Sequence, residues 1–215
     1  MKNKVVVFDL DDTLYQELDF LKSGYRFVAA KVGHPEAYQE MLKWYGNGDN
    51  AFQKLLDQYL VSDYSLPQLL DFYRFHQPQI ELKPSVWDTL VSLSEKAVLG
   101  IVSDGRTETQ WNKIQALHLT DIMPRENVLI SEEVGYGKPD ARLFSFFEEK
   151  YPDHEYYYIG DNLKKDFITP NERGWKSICL LDKGENIHAQ DFEAYEEKYL
   201  PQVRIADFNS LLNYV

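Results

Sequence analysis

Five short apolar runs punctuate the chain: Val5-Val6-Val7-Phe8, Val98-Leu99-Gly100-Ile101-Val102, Asn127-Val128-Leu129-Ile130, Tyr156-Tyr157-Tyr158-Ile159 and Ser177-Ile178-Cys179-Leu180-Leu181. They are continuous rather than alternating, which predicts strands covered on both faces, as in a parallel sheet. The segments between them follow helical spacing. Pro84 to Glu95 places Val86, Leu90 and Leu93 on one face with Trp87 beside them. Thr107 to Leu119 does the same with Trp111, Ile114 and Leu117, and Asp140 to Tyr151 with Leu143, Phe144 and Phe147. Strands alternating with helices predict βαβ units.

The fold class is therefore α/β: a Rossmann-like, doubly wound parallel sheet. One stretch breaks the alternation. Residues 17–82 contain no strand-like run but several helical patterns, such as Phe52, Leu55, Leu56, Tyr59 and Leu60. Ser65 before Leu66-Pro67 reads as a helix start leading into Leu69, Leu70, Phe72 and Tyr73. The expected organisation is a core of residues 1–16 and 83–215 with an all-α domain, 17–82, inserted after the first strand.

Composition narrows the function classes. The 215 residues carry 35 acidic against 23 basic side chains, a net charge of −12. A field of that sign repels nucleic acid and anionic membranes. It repels phosphate esters too, so a phosphate site here must create its own local positive potential. The single cysteine, Cys179, rules out an internal disulfide framework and a cysteine-cluster zinc site, and its apolar run reads as a buried strand. The five histidines (His34, His76, His118, His154 and His188) show no zinc-like spacing. Acids at Asp9, Asp11 and Asp12 cut short the first apolar run, which therefore reads as a strand rather than a signal peptide. No run approaches the length of a membrane span. A cytoplasmic protein is expected.

Active sites of open α/β sheets lie beyond the carboxyl ends of the strands. The first strand is followed by Asp9, Asp11, Asp12 and Thr13, and the second by Ser103-Asp104-Gly105. The third is followed, after a short loop, by Gly137-Lys138-Pro139, and the fourth by Gly160-Asp161-Asn162 with Asp166 beyond. Taken singly, each has a structural reading: aspartates after strands cap helices, serines do likewise, and Gly-Asp is a common turn. Their joint order points to one catalytic rim. The set resembles the haloacid dehalogenase-like superfamily in its phosphatase branch. Asp9-x-Asp11-x-Thr13 matches the first motif, Ser103 the second, Lys138 the third, and Gly160, Asp161 and Asp166 the fourth. The helical stretch after the first motif falls where that branch carries a cap.

The resemblance implies a phosphatase acting on a small phosphate ester through an aspartyl-phosphate. Asp9 is the expected nucleophile. Asp11 is expected to protonate the leaving oxygen and then deprotonate the attacking water. Hard oxygen ligands suit Mg²⁺. By the resemblance it is held by the side chains of Asp9 and Asp161 and the main-chain carbonyl of Asp11, with Asp166 as a supporting acid. Lys138 and Ser103 are expected to offset phosphoryl charge, Asp104 and Gly105 to lie against the phosphate, and Thr13 to brace the loop. Three rivals remain open: the halide-releasing branch, disfavoured by Asp11 and the acidic pair Asp161 and Asp166; a phosphomutase; and a catalytically silent binding module. In the helical stretch, Arg26, Lys43, Trp44, Tyr45, Arg74, Phe75 and His76 are candidates to contact a leaving group, including a nucleobase. Packing among the helices is their alternative role.

Overall fold

The computed structural model describes residues 3–215. Its sheet has six parallel strands in the order β3-β2-β1-β4-β5-β6: β1 (Lys4–Phe8), β2 (Val98–Ser103), β3 (Val128–Ile130), β4 (Glu155–Gly160), β5 (Lys176–Leu180) and β6 (Val203–Ile205). The continuous apolar runs have the expected consequence. In β1, Val6 and Phe8 enter one core cluster with Tyr157 and Ile159, while Val5 and Val7 enter another with Phe144, Phe147 and Trp175. Successive strand residues point to opposite faces, and here both faces are covered. Each such buried side chain contributes about 1.5–3 kcal/mol.

Helix α5 (Pro84–Lys96) covers the first face through Val86, Leu90 and Leu93. The other face is covered by α8 (Arg142–Lys150). Gly100 is required for this packing, because a Cβ there would lie 2.6 Å from Phe147 and 2.8 Å from the Asn127 carbonyl. Helix α6 (Thr107–Ala116) stops short of the expected Leu119, where the chain reverses through left-handed His118 into a short 3₁₀ turn. Helix α8 starts later than expected. Asp140 instead accepts a bond from the Arg142 N–H and shapes the turn before it. Short helices α7 (Ser131–Val134) and α9 (Ile168–Glu172) complete the core. The sixth strand, Val203–Ile205, escapes the apolar-run criterion because it is three residues long and centred on Arg204.

Between β1 and α5 lie four helices: α1 (Glu17–Lys31), α2 (Tyr38–Gly46), α3 (Ala51–Gln58) and α4 (Leu66–Phe75). They share a core of their own, including Leu21, Tyr25, Met41, Trp44, Leu55 and Leu69. The start read at Ser65 is a capping box with Gln68. Gly24 lets α1 and α4 approach closely, since a Cβ there would sit 2.4 Å from Tyr73. The end of α4 docks on α6: Thr109 Oγ1 donates to the Arg74 carbonyl at 3.1 Å and Asn112 Nδ2 to that of His76 at 3.3 Å. His76 is itself buried, with Nδ1 2.7 Å from the Tyr73 carbonyl and Nε2 3.0 Å from Ser23 Oγ. Among the described residues no helix is long and apolar enough to cross a membrane.

Candidate active site

The strand order reverses at β1 and β4, so their carboxyl ends open the crevice in which doubly wound sheets bind ligands. Asp9 follows β1 directly, and its N–H bonds the Ile159 carbonyl of β4 at 2.8 Å. One carboxylate oxygen, Oδ1, accepts the Leu10 N–H at 2.8 Å and lies 2.7 Å from Lys138 Nζ. The other has no partner among the described residues. The Lys138 ammonium also lies 2.8 Å from Asp166 Oδ1, with both of those side chains fully buried. The ammonium is thus held between the two carboxylates.

Asp166 is anchored by its other oxygen, which accepts the N–H groups of Asp161 at 3.1 Å and Asn162 at 2.8 Å. Gly160 makes this possible, because a Cβ at that position would stand 2.4 Å from the same oxygen. Asp161 receives Thr13 Oγ1 at 3.3 Å, so Thr13 braces the loop as the sequence suggests, and Asn186 Nδ2 at 3.0 Å.

Asp9, Asp161 and Asp166 are all buried, and each offers a carboxylate oxygen within 4.8 Å of the others. Among the described residues, the fully buried ammonium facing them is Lys138, with Lys165 at the edge of the site. Burial, and then Asp166 and Asp9, push the Asp161 carboxyl up to about 9. Burial likewise raises Asp9 to about 6 despite Lys138. Burial opposes the charge on Lys138, but Asp166 and Asp9 outweigh it and hold that ammonium well above the ordinary lysine value. Surplus buried negative charge on hard oxygen donors fits a divalent cation such as Mg²⁺. Asp166, with both oxygens engaged, suits support of the site better than direct ligation.

Asp11 sits in a different environment. Its Oδ1 lies 2.7 Å from Lys113 Nζ and accepts the Tyr15 hydroxyl at 2.5 Å, and its Oδ2 accepts Gln110 Nε2 at 2.9 Å. Burial would raise its pKa, but Lys113 and these bonds outweigh burial and lower it. The two aspartates thus differ, in the opposite order to the ionised Asp9 and proton-donating Asp11 that the sequence leads one to expect. A cation held at Asp9 would lower its pKa again.

Gln110 also donates to Ser103 Oγ at 2.6 Å, which keeps Ser103 buried behind it. The Gly105 N–H is taken by Ser131 Oγ at 2.9 Å. Asp104 accepts the main-chain N–H of Lys138 at 2.9 Å and pairs with Lys165 Nζ at 2.9 Å, so its carboxylate is engaged by an amide and one ammonium.

A cavity of about 130 Å³ opens over these groups, lined by Asp9, Asp11, Asp12, Glu17, Asp104, Asp161, Asn162, Lys165 and His188. Glu17, the first residue of α1, is raised to about 7 by burial and then by Asp11. Of the aromatic and basic candidates in the helical stretch, none lines this cavity. Trp44 packs in the helices' own core, and His76 fixes α4 to α1. A larger cleft of about 340 Å³ lies beside the first loop, between Leu14 and Phe208, and neither Asp9 nor Asp161 lines it.

Tyr15, Glu17, Gln110, Lys113, Lys165 and Asn186 were not singled out by sequence. Only Gln110 and Lys113 left a usable signal, since their spacing puts both on one face of α6.

The sequence model of the haloacid dehalogenase-like hydrolases matches residues 6–180. The chain belongs to that family. Among its relatives is a glyceraldehyde 3-phosphate phosphatase of Methanopyrus kandleri, 28% identical over 232 aligned positions, covering 99% of this chain and 97% of the relative. Another, from Methanothermobacter thermautotrophicus, is 28% identical over 208 positions, covering 87% and 91%. The family likeness extends to solved structures. The HAD-hydrolase YfnB of Bacillus subtilis, bound to magnesium, aligns with a TM-score of 0.68 at 18% identity over 100% of this chain and 99% of that one. A 2-haloacid dehalogenase of Pseudomonas syringae aligns with a TM-score of 0.63 at 20% identity, over 98% and 96%. Similarity at these identities establishes the fold and leaves the reaction to the site.

Proposed function

We propose that this hydrolase is a Mg²⁺-dependent phosphatase that cleaves a small phosphomonoester, such as a sugar phosphate, through an aspartyl-phosphate on Asp9. The observation that carries this reading is the buried constellation of Asp9, Lys138, Asp166 and Asp161. It sets a carboxylate with one unengaged oxygen beside a fixed ammonium and surplus acidic oxygens. The glyceraldehyde 3-phosphate phosphatases among the relatives support a short sugar phosphate.

Asp9, Asp161 and the main-chain carbonyl of Asp11 would hold Mg²⁺, which when bound offsets charge on the phosphoryl oxygens. The unengaged oxygen of Asp9 attacks phosphorus, and the bond to the leaving oxygen breaks. The approaching phosphate dianion raises the pKa of Asp11 against the lowering by Lys113, so that Asp11 takes up a proton and gives it to that oxygen. It then takes one from the water that hydrolyses the aspartyl-phosphate, releasing inorganic phosphate and restoring Asp9. Lys138 keeps its charge throughout and holds Asp9 in place. Helices α1 to α4, within residues 17–82, act as a cap over the cavity, which Glu17 enters from their root. The acidic surface and single buried thiol suit a cytoplasmic enzyme.

The test is release of phosphate from p-nitrophenyl phosphate and a panel of sugar phosphates with Mg²⁺. Asp9→Asn should lower turnover by at least about a thousandfold while keeping the melting temperature, as expected for removal of a nucleophile. An inert parent protein across the panel would sink the reading.

A further inference from the structure

Most of the cavity above Asp9 repels what it is proposed to bind. Six carboxyl groups line it, and Lys165 is the one permanently charged cation among the lining residues. Lys138 is cationic too, but its side chain has no exposure and already faces Asp9 and Asp166. With Mg²⁺ held by Asp9 and Asp161, a dianion arriving from solvent still meets the carboxyl groups of Asp12, Glu17 and Asp104 in the lining, in a protein of net charge −12. Phosphate sites overcome such a field with local cations and N–H donors. Three N–H groups at the cavity's edge are in use: Gly105 donates to Ser131, and Asp161 and Asn162 donate to Asp166.

Lys165 is placed to supply the missing charge. It belongs to the turn after β4, where its N–H bonds the Asn162 carbonyl at 3.2 Å and that of Asp166 bonds the same carbonyl at 3.0 Å. The turn leaves neighbouring Lys164 in solvent while Lys165 is half-buried against the cavity. Its ammonium has a single ion-pair partner, Asp104, at 2.9 Å, and the two side chains are 29% and 24% exposed. A pair about a quarter exposed is partly screened by solvent, and a lysine's four-carbon stem re-aims at little cost. Asp104 loses little when the ammonium turns away, since it keeps the Lys138 N–H.

We propose that Lys165 is a further substrate-binding residue, which leaves Asp104 on substrate arrival and pairs with a non-bridging oxygen of the phosphoryl group. The inference rests on the phosphatase reading and adds to it the group that admits the dianion. Lys138 then acts on the nucleophile's side and Lys165 on the solvent side of one phosphoryl group. Asp104 serves as the resting place of the second ammonium.

The experiment compares parent, Lys165→Met and Lys165→Arg on p-nitrophenyl phosphate with Mg²⁺. It also measures inorganic phosphate binding to the Mg²⁺-loaded proteins by calorimetry. Loss of one charge-assisted contact should raise KM and weaken phosphate binding about ten- to hundredfold, with kcat changed by less than about threefold. Lys165→Arg should recover most of the affinity. The same comparison in an Asp104→Asn background separates binding from mere neutralisation. A phosphate contact leaves the Lys165→Met effect in place there, whereas its disappearance overturns the inference. An active parent whose Lys165→Met variant keeps parental KM and phosphate affinity sinks this inference alone. A parent inert on every ester but still binding phosphate through Lys165 sinks only the phosphatase reading.

Discussion

Lys113 Nζ lies 2.7 Å from Asp11 Oδ1, with only 4% and 18% of the two side chains exposed. The ammonium also sits 4.5 Å from the centre of the Phe20 ring, so α6 and the root of α1 enclose it together. A buried pair of this kind has little solvent to replace either partner.

Lys113→Met should therefore act on chemistry as well as stability. Asp11 keeps Tyr15 and Gln110 but loses the main influence opposing its burial, so its pKa should rise. If Asp11 is the acid and base of the reaction, the pH–rate profile should move to higher pH. Stability should fall by about 3 kcal/mol, toward the lower end expected for breaking a buried pair. Initial rates across pH, with a thermal melt, check both.

Gly160→Ala should be more damaging than its size suggests. The added Cβ would stand 2.4 Å from Asp166 Oδ2 and 2.8 Å from its Cγ, and Asp166 is fully buried. Displacing it removes the acceptor of two main-chain N–H groups and one of the two carboxylates holding Lys138. A loss of at least about 2 kcal/mol is expected from the overpacking alone. Phosphatase activity should fall by more than tenfold at temperatures where the variant is still folded.

Magnesium should stabilise the protein and chelation should reverse the effect. At a hundred times its dissociation constant, a ligand of the folded state adds about 2.7 kcal/mol. For a chain of this length that amounts to a rise of about 5–10 °C in Tm. Asp161→Asn should abolish most of the shift. An equal shift in that variant would place the ion elsewhere.

Acid should loosen the docking of α4. Burial, the larger effect, and nearby Lys113 lower the pKa of His76, against a smaller opposing effect of its bond to the Tyr73 carbonyl. With Nδ1 donating to that carbonyl, Nε2 is left to accept the Ser23 hydroxyl, so the folded state favours neutral imidazole. The folded protein thus binds fewer protons at this site than the unfolded chain. Its contribution is complete above pH 6.5, the unperturbed value, and is lost as pH falls through the lower folded value. The imidazole resonance of His76 should titrate below 6.5 by NMR. The Tm gap between parent and His76→Gln should narrow from pH 7.5 to pH 5.

The strands and the motif aspartates were legible because each depends on its own short stretch of chain. Val5 to Phe8 must be buried on both sides wherever it lies, and Asp9 must follow it. Lys113 and Lys165 were not legible for the opposite reason. In sequence, Lys113 is a polar position on an amphipathic helix and Lys165 is half of a lysine pair, and both read as solvated. Their partners, Asp11 and Asp104, stand 102 and 61 residues away. The loop of residues 182–190 gives no periodic signal, yet it delivers Asn186 and His188 to the site. Val203–Ile205 becomes a strand only because β5 offers an open edge beside it.

Asp12 gives the first loop a further consequence. One of its oxygens accepts the Glu17 N–H, where α1 begins, and the other accepts the Ile187 N–H, at 2.8 and 2.9 Å. A single carboxylate thus clasps the root of the four helices to a stretch of chain lying past the region matched by the family. Swinging those helices outward from Glu17 unfastens half of that clasp. Access to the site and the seating of the tail are thereby mechanically joined, and a substitution near Ile187 should be felt at the entrance.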